Sequence, residues 1–238
     1  MHRTPAIVAA LALAALWSNA GAEPVLAFHG VPQPPLVHPD HRVLYEQTGN
    51  DSGIAIVSQS FEGGGNEAYD AVSADDFVLP NGATGWVVTE VDVVGQYFSG
   101  AGPADSVNVN FFNDSRSGVY PHMPGHIIRR YKDQVPNDNG TGSFNIVLDP
   151  VVPRLILKPG VRYWLSVQAN MAFASGGEWG WENQTMQVAN PVLWRNPGNG
   201  FGTGCTTFTV ESTCVGSLGQ ADSKIFVLKG YALKGAAR

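Results

Sequence analysis

The chain has 238 residues, and 14 Lys and Arg against 20 Asp and Glu give it a formal net charge of −6 at pH 7. Nucleic acids and anionic membranes both need clustered positive charge on their partners, so this balance argues against either as a ligand. A charged fraction of only 14%, with 28 Gly and 16 Pro, indicates many short strands joined by turns.

The N-terminus has the layout of a secretory signal. A short basic start at Arg3 is followed by an apolar run from Ala6 to Trp17 and by small residues up to Ala22. A membrane-spanning helix needs about 20 apolar residues, which this run does not reach. The sequence therefore predicts a signal peptide over 1–22, cleavage after Ala22, and a mature chain without a transmembrane segment. That chain would be extracellular, periplasmic or on the outer surface of a bacterium.

A proline-rich segment follows at 23–42 and shows no periodicity, which predicts an extended leader before a domain at 43–238. Within that domain, apolar and polar residues alternate with a period of two, as in half-buried strands. The inward positions of the clearest strands are Val107, Val109 and Phe111; Phe144, Ile146 and Leu148; and Tyr163, Leu165, Val167 and Ala169.

Turn-forming residues separate these strands. The Pro159-Gly160 pair fits a type II turn, since Pro fixes φ and Gly takes the positive φ that follows. No long window after the signal has the spacing of an amphipathic helix. The sequence therefore predicts an all-β fold, a single antiparallel β-sandwich of jelly-roll-like form.

The two cysteines of the chain, Cys205 and Cys214, are predicted to form a disulfide in a hairpin or loop. An even pair at short spacing in an exported chain favours this pairing over a metal site, which would need further ligands nearby.

Three acidic residues form a candidate calcium site. Asp75 and Asp76 stand at the start of a predicted strand, and Asp222 precedes the last strand. Calcium takes six to eight oxygen ligands, often from carboxylates, and the first and last strands of a sandwich are often neighbours. The alternative is that Asp75 caps a turn while Asp76 is solvated.

The segment around Trp179 and Trp181 is a candidate ligand-binding site. Residues two apart on a strand share one face, and Trp194 follows in a loop-rich stretch. Exposed indoles beside Glu178 would suit the apolar faces and polar edges of sugars. The alternative is that these tryptophans fill the core, as large aromatic residues usually do.

Catalytic motifs are not evident. Glu178 and Glu182 flank the tryptophans, but their sequence positions do not give the carboxylate separation that glycoside hydrolysis requires. His122 and His126 enclose Pro124 and Gly125, which prevents a regular helix from placing both imidazoles on one metal.

Several segments resemble a β-sandwich domain of secreted bacterial proteins. They are Ala74-Asp75-Asp76-Phe77-Val78, the stretch from Tyr163 to Asn170, Gly177-Glu178-Trp179-Gly180-Trp181, and Phe201-Gly202-Thr203-Gly204-Cys205. The resemblance covers roughly Val43 to Tyr231 and implies the fold and export, without catalytic residues. More loosely, the chain resembles jelly-roll carbohydrate-binding modules.

These observations favour a secreted, non-catalytic module that binds an extracellular polysaccharide or a cell-surface glycan. One alternative is a structural or surface-interaction protein with no small ligand, and a secreted hydrolase is the third hypothesis.

Overall fold

A computed structural model of the chain describes residues 24, 26–29, 42–116, 118–148, 153–216 and 223–233. The predicted signal peptide lies outside this part, as does most of the predicted leader. The described chain is all-β, and its strands form three sheets that are almost entirely antiparallel. Its helical elements are a 3-10 turn (Glu67–Tyr69) and the helices α1 (Phe173–Gly176) and α2 (Glu211–Val215).

The large sheet has seven strands. They are β4 (Gln59–Phe61), β5 (Val72–Val78), β8 (Ser106–Ser115), β9 (Met123–Gln134), β13 (Arg162–Met171), β15 (Leu193–Arg195) and β16 (Thr209–Val210). Their order is β16-β15-β5-β13-β8-β9, and β4 pairs with the end of β13 in parallel. The long strands β8 and β13 therefore lie side by side at the middle of this sheet.

The second sheet has six strands. They are β2 (Val43–Gln47), β6 (Trp86–Val93), β10 (Asn137–Asp138), β11 (Phe144–Val147), β12 (Leu155–Leu157) and β17 (Phe226–Ala232). Their order is β10-β11-β6-β17-β2, and β12 pairs with β6 beyond β11. The first strand of the predicted domain, β2, is thus paired with the last, β17.

The small sheet has four strands. They are β1 (Ala27–His29), β3 (Asp51–Val57), β7 (Gly95–Phe98) and β14 (Glu178–Gln184), in the order β1-β3-β14-β7. Strand β1 comes from the predicted leader and pairs with β3, so this part of the leader belongs to a sheet.

The main core lies between the large and second sheets. The inward residues predicted on three strands, around Val109 on β8, Ile146 on β11 and Leu165 on β13, are buried there together. The alternation that predicted these strands is therefore confirmed. Gly160 also has the predicted positive φ, of 67°.

The number of sheets differs from a simple two-sheet sandwich. Strand β14 pairs with β3 and β7 in a sheet of its own, while its Trp179 and Trp181 enter the main core. In a second core cluster, residues of β3 pack against Phe61 of β4 and Trp194 of β15, two strands of the large sheet. The antiparallel all-β class is confirmed, whereas a single jelly-roll sandwich is not.

No helix within the described ranges is both long and apolar enough to cross a membrane.

A buried ion pair stands where the three sheets meet. Lys224 precedes β17, and its Nζ lies 2.9 Å from Oε2 of Glu211 at the start of α2, with both side chains fully buried. Glu211 also accepts hydrogen bonds from Ser73 on β5 and Asn183 on β14. Lys224 in turn donates to Oδ1 of Asn183 and to the carbonyl of Trp181. Each charge is therefore both paired and hydrogen-bonded, as burial requires.

We predict that Lys224→Met destabilises the protein by about 3–5 kcal/mol, because it leaves the carboxylate of Glu211 buried without its cation. Urea unfolding monitored by circular dichroism measures the change. Replacing Glu211 with Gln in the same chain should restore part of the loss, and the exposed control Lys158→Met should change little. Equal effects of Lys224→Met and Lys158→Met would contradict the prediction.

A second buried carboxyl, Glu182 on β14, has an unusual protonation state. Burial, followed by a hydrogen bond with Asp51 and the charge of Asp51, raises the pKa of Glu182 to about 9. Its Oε1 accepts a hydrogen bond from Gln96 on β7. Glu182 is therefore protonated at neutral pH in the folded chain, whereas in the unfolded chain it ionises near its ordinary pKa of 4.5.

This raised pKa predicts that stability falls as the pH rises from about 5 to 9, because the folded state then holds a proton that the unfolded state has released. Glu182→Gln keeps the shape and the hydrogen bonds of the protonated side chain without titrating. We expect the variant to melt higher than the parent at pH 8 and to show a flatter decline of Tm from pH 5 to pH 8. Parallel Tm profiles of parent and variant would exclude this role.

Candidate binding groove

The outer face of the large sheet, which points away from the main core, has an apolar half and a polar half. Trp164 of β13 and Phe112 of β8 are opposite each other in register and pack with Leu193 of β15. Phe208, from the segment before β16, covers these residues. The centroids of the Phe208 and Phe112 rings are 6.0 Å apart. We call the group of Phe112, Trp164, Leu193 and Phe208 the outer apolar cluster.

The polar half follows along the same strands. Asn110 of β8 is paired in register with Ser166 of β13, and Asn108 is paired with Gln168. Successive side chains of a strand point to opposite faces, so the residues next to these on each strand are the core residues Val109 and Val167, among others.

A groove of about 260 Å³ opens over this polar half. Its lining residues are Asp70, Ala71, Val72, Asn108, Asn110, Phe112, Ile127, Arg130, Lys132, Ser166, Gln168, Arg195 and Pro197. The sheet provides the floor of the groove through amide and hydroxyl side chains, and its edges carry apolar and charged groups.

Hydrogen bonds fix the floor. Asn110 Nδ2 donates to Ser166 Oγ at 3.2 Å, and Arg130 Nε of β9 donates to Asn110 Oδ1 at 3.1 Å. Gln168 Nε2 donates to the carbonyl of Ala71 at 3.1 Å. Ser166 is fully buried and supports Asn110 from below, so the floor presents the remaining donors and acceptors of Asn110 and Gln168 in set positions.

The disulfide loop supports one edge of the groove. The Cys205–Cys214 bond is formed, as predicted, and it encloses Phe208. The guanidinium of Arg195 lies 4.5 Å above the Phe208 ring, a cation–π contact, and Arg195 lines the groove. The loop, its aromatic side chain and the guanidinium thus form one connected edge.

Two ionisable groups of the groove have shifted pKa values. Burial, and then the positive charge of Arg130, lower the pKa of Arg195 from its ordinary value. Burial raises the pKa of Asp70, although the N–H of Phe61, 2.7 Å from its Oδ1, opposes the shift. Besides burial, the charge of Arg130 lowers the pKa of Arg195, which shows that the two guanidinium groups repel each other.

The tryptophans predicted to form an exposed platform are in the core. Trp179, Trp181 and Trp194 are fully buried, and Glu178 beside them is fully buried too. The prediction of exposed stacking rings is therefore wrong, because the rings fill the space between sheets and their N–H groups are used inside the protein. The indole donors bond to the carbonyls of Gly142, Ile225 and Val57 at 2.7, 2.9 and 2.8 Å.

The predicted calcium site is not assembled either. Asp75 and Asp76 are consecutive on β5 and point to opposite faces of the large sheet, so one ion cannot bind both. Asp75 accepts from Gln47 and from the backbone of Lys224, whereas Asp76 accepts from Asn190 and pairs with Arg162. Asp222 lies outside the described residues. Within the described ranges, no group of three or more His, Cys, Asp or Glu side chains could hold a metal ion.

Sequence reasoning missed the groove, although the inward positions predicted at Leu165, Val167 and Ala169 leave Ser166 and Gln168 on the outward face of that strand. A signal was available: outward positions of two strands carry short amides and hydroxyls where a solvated sheet face often carries charges. The sequence alone did not show that β8 and β13 are neighbours, and only this pairing brings Asn108 and Asn110 beside Ser166 and Gln168.

Comparisons with known protein families, with curated proteins and with solved structures found no match to the chain.

We predict that the tryptophan fluorescence is blue-shifted and weakly quenched by acrylamide, since every tryptophan in the described residues is at most 3% exposed. Unfolding in urea should shift the emission to the red and make quenching strong. The mature chain, lacking Trp17 of the predicted signal, is the sample to measure. Strong quenching of the folded protein would contradict the burial of these side chains.

Proposed function

We propose that the protein is an exported, non-catalytic module that binds glycans in the groove on the outer face of the large sheet. The observation that carries the proposal is the floor itself, in which half-buried amide side chains of two neighbouring strands are held in place, Asn110 by the buried hydroxyl of Ser166 and Gln168 by the carbonyl of Ala71. Sugar hydroxyls are both donors and acceptors, and such fixed side chains match them.

Apolar groups at the groove edges support the same ligand class. Phe112, Ile127 and Pro197 line the groove beside the polar floor. Sugar rings have apolar C–H faces and polar edges, so a surface that offers both kinds of contact suits them. The site differs from the tryptophan platform predicted from the sequence, while the ligand class stays the same.

Export supports a glycan outside the cell as the ligand. The signal-like N-terminus and the disulfide both fit a protein that folds in an oxidising compartment. The jelly-roll-like arrangement predicted from the sequence stays part of this proposal. The proposed ligand is a polysaccharide or a cell-surface glycan, to which the module binds.

The test is retention of the mature protein in affinity gels that contain soluble dextran, hydroxyethylcellulose, xylan, mannan or pectin. At least one polymer should retard the protein. Gln168→Ala and Asn110→Ala should each weaken that binding about three- to tenfold, the cost of a neutral hydrogen bond, with Tm nearly unchanged. Gln187→Ala, an exposed glutamine outside the groove, is the control and should bind like the parent.

Two results would reject the proposal. One is free migration of the parent protein through every polymer, which would favour a surface-interaction protein without a glycan ligand. The other is retention that is equally strong in the parent, Gln168→Ala and Asn110→Ala proteins, which would place any binding elsewhere.

A further inference from the structure

The charges of the groove differ from those of the whole chain. The protein has a formal net charge of −6, yet Arg130, Lys132 and Arg195 line the groove against the single carboxylate of Asp70. Three cations and one anion leave the groove net positive. A cleft of one sign concentrates ligands of the opposite sign.

These cations are not used for internal ion pairs. Within the described residues, Arg130 bonds to the neutral amide of Asn110, Arg195 stacks on Phe208, and no carboxylate lies within ion-pair distance of Arg130, Lys132 or Arg195. Buried cations elsewhere are compensated. They include Lys224 with Glu211 and Lys229 with Glu90 and Asp92. The two buried lysines are thus compensated inside the protein, whereas the charges of Arg130, Lys132 and Arg195 remain available to a ligand in the groove.

One hydrogen-bond donor of Arg195 also lacks an acceptor. Its Nε is buried and has no hydrogen-bond partner among the described residues. A buried donor without an acceptor is costly, and an arginine can offer paired N–H groups to a carboxylate or sulfate. Burial and the charge of Arg130 also lower the pKa of Arg195, so an anion between the two guanidinium groups would relieve an existing repulsion.

Asp70 reduces this charge without cancelling it, because one carboxylate faces three cations. Its Oδ1 accepts the N–H of Phe61 at 2.7 Å, and this contact fixes the position of the carboxyl. The groove therefore combines a neutral hydrogen-bonding floor with positively charged edges.

We infer that the ligand is an acidic glycan, a polysaccharide with carboxylate or sulfate groups, whose anionic group binds at Arg130 and Arg195 while its hydroxyls bind the floor at Asn110 and Gln168. This inference rests on the proposed function. A nucleic acid fits less well, because the groove offers only a few cations on an acidic protein and nucleic-acid binding depends on many phosphate contacts.

The experiment uses polymer pairs with a common backbone: carboxymethylcellulose with hydroxyethylcellulose, and dextran sulfate with dextran. Binding of the mature protein is measured by affinity gel electrophoresis and by calorimetry. The acidic member of at least one pair should bind about tenfold more tightly than the neutral member, the contribution of a hydrogen bond to a charged group. Which pair shows the preference distinguishes carboxylate from sulfate.

Variants locate the preference. Arg195→Gln should reduce binding of the acidic polymer about tenfold and binding of its neutral partner much less. Arg130→Gln should also cost about tenfold on the acidic polymer, with a smaller loss on the neutral one, because Arg130 holds Asn110 in the floor. Arg154→Gln is the matched control, because Arg154 is exposed, lies outside the groove and loses the same charge. Added salt should weaken acidic binding and spare neutral binding, since screening acts on charges.

The outcomes separate this inference from the proposed function. Equal binding of acidic and neutral partners overturns the acidic preference and keeps the glycan module. No binding of any polymer overturns both. Equal losses in Arg130→Gln, Arg195→Gln and Arg154→Gln, or equally tight binding of a single-stranded DNA oligonucleotide, would show a general attraction of polyanions and also overturn the inference.

Discussion

The buried ion pair of Lys224 and Glu211 connects all three sheets of the fold. These two side chains sit where the three sheets come together, and their remaining hydrogen-bonding groups are taken by Ser73 of the large sheet and Asn183 of the small sheet. Lys224 leads into the last strand of the second sheet. Loss of one partner would leave the other charge buried and unpaired, so we expect the pair to favour arrangements of the sheets that keep both partners in contact.

The large sheet serves two purposes with its two faces. One face carries Val109, Val167 and their neighbours into the main core, and the other carries the outer apolar cluster and the groove. Strands β8 and β13 are packed on their core side and paired along both edges. The floor residue Asn110 and its support Ser166 therefore stand on strands held along both edges and on the core side, and we expect the groove to keep its geometry.

The strands and the disulfide could be predicted because both follow from local sequence. Alternation identified the inward residues of β8, β11 and β13, and the short Cys205–Cys214 spacing identified the bond. The sheet count and the groove could not, because they depend on which distant strands pair. Asp75 and Asp76 were wrongly grouped for a similar reason, because residues that are adjacent in a strand point to opposite faces of its sheet. The tryptophans were ambiguous, because the same rings suit a core or a platform.

The contact between Phe208 and Arg195 connects the groove to the disulfide. The floor is built from strands without any cysteine, whereas Phe208, on which Arg195 of β15 stacks, lies in the loop closed by Cys205–Cys214. We expect thiol reduction to release the loop that carries Phe208, while the strands of the floor keep their pairing. The ring under one guanidinium of the groove is thus held by a bond that persists in an oxidising environment, whereas the polar floor depends on backbone pairing.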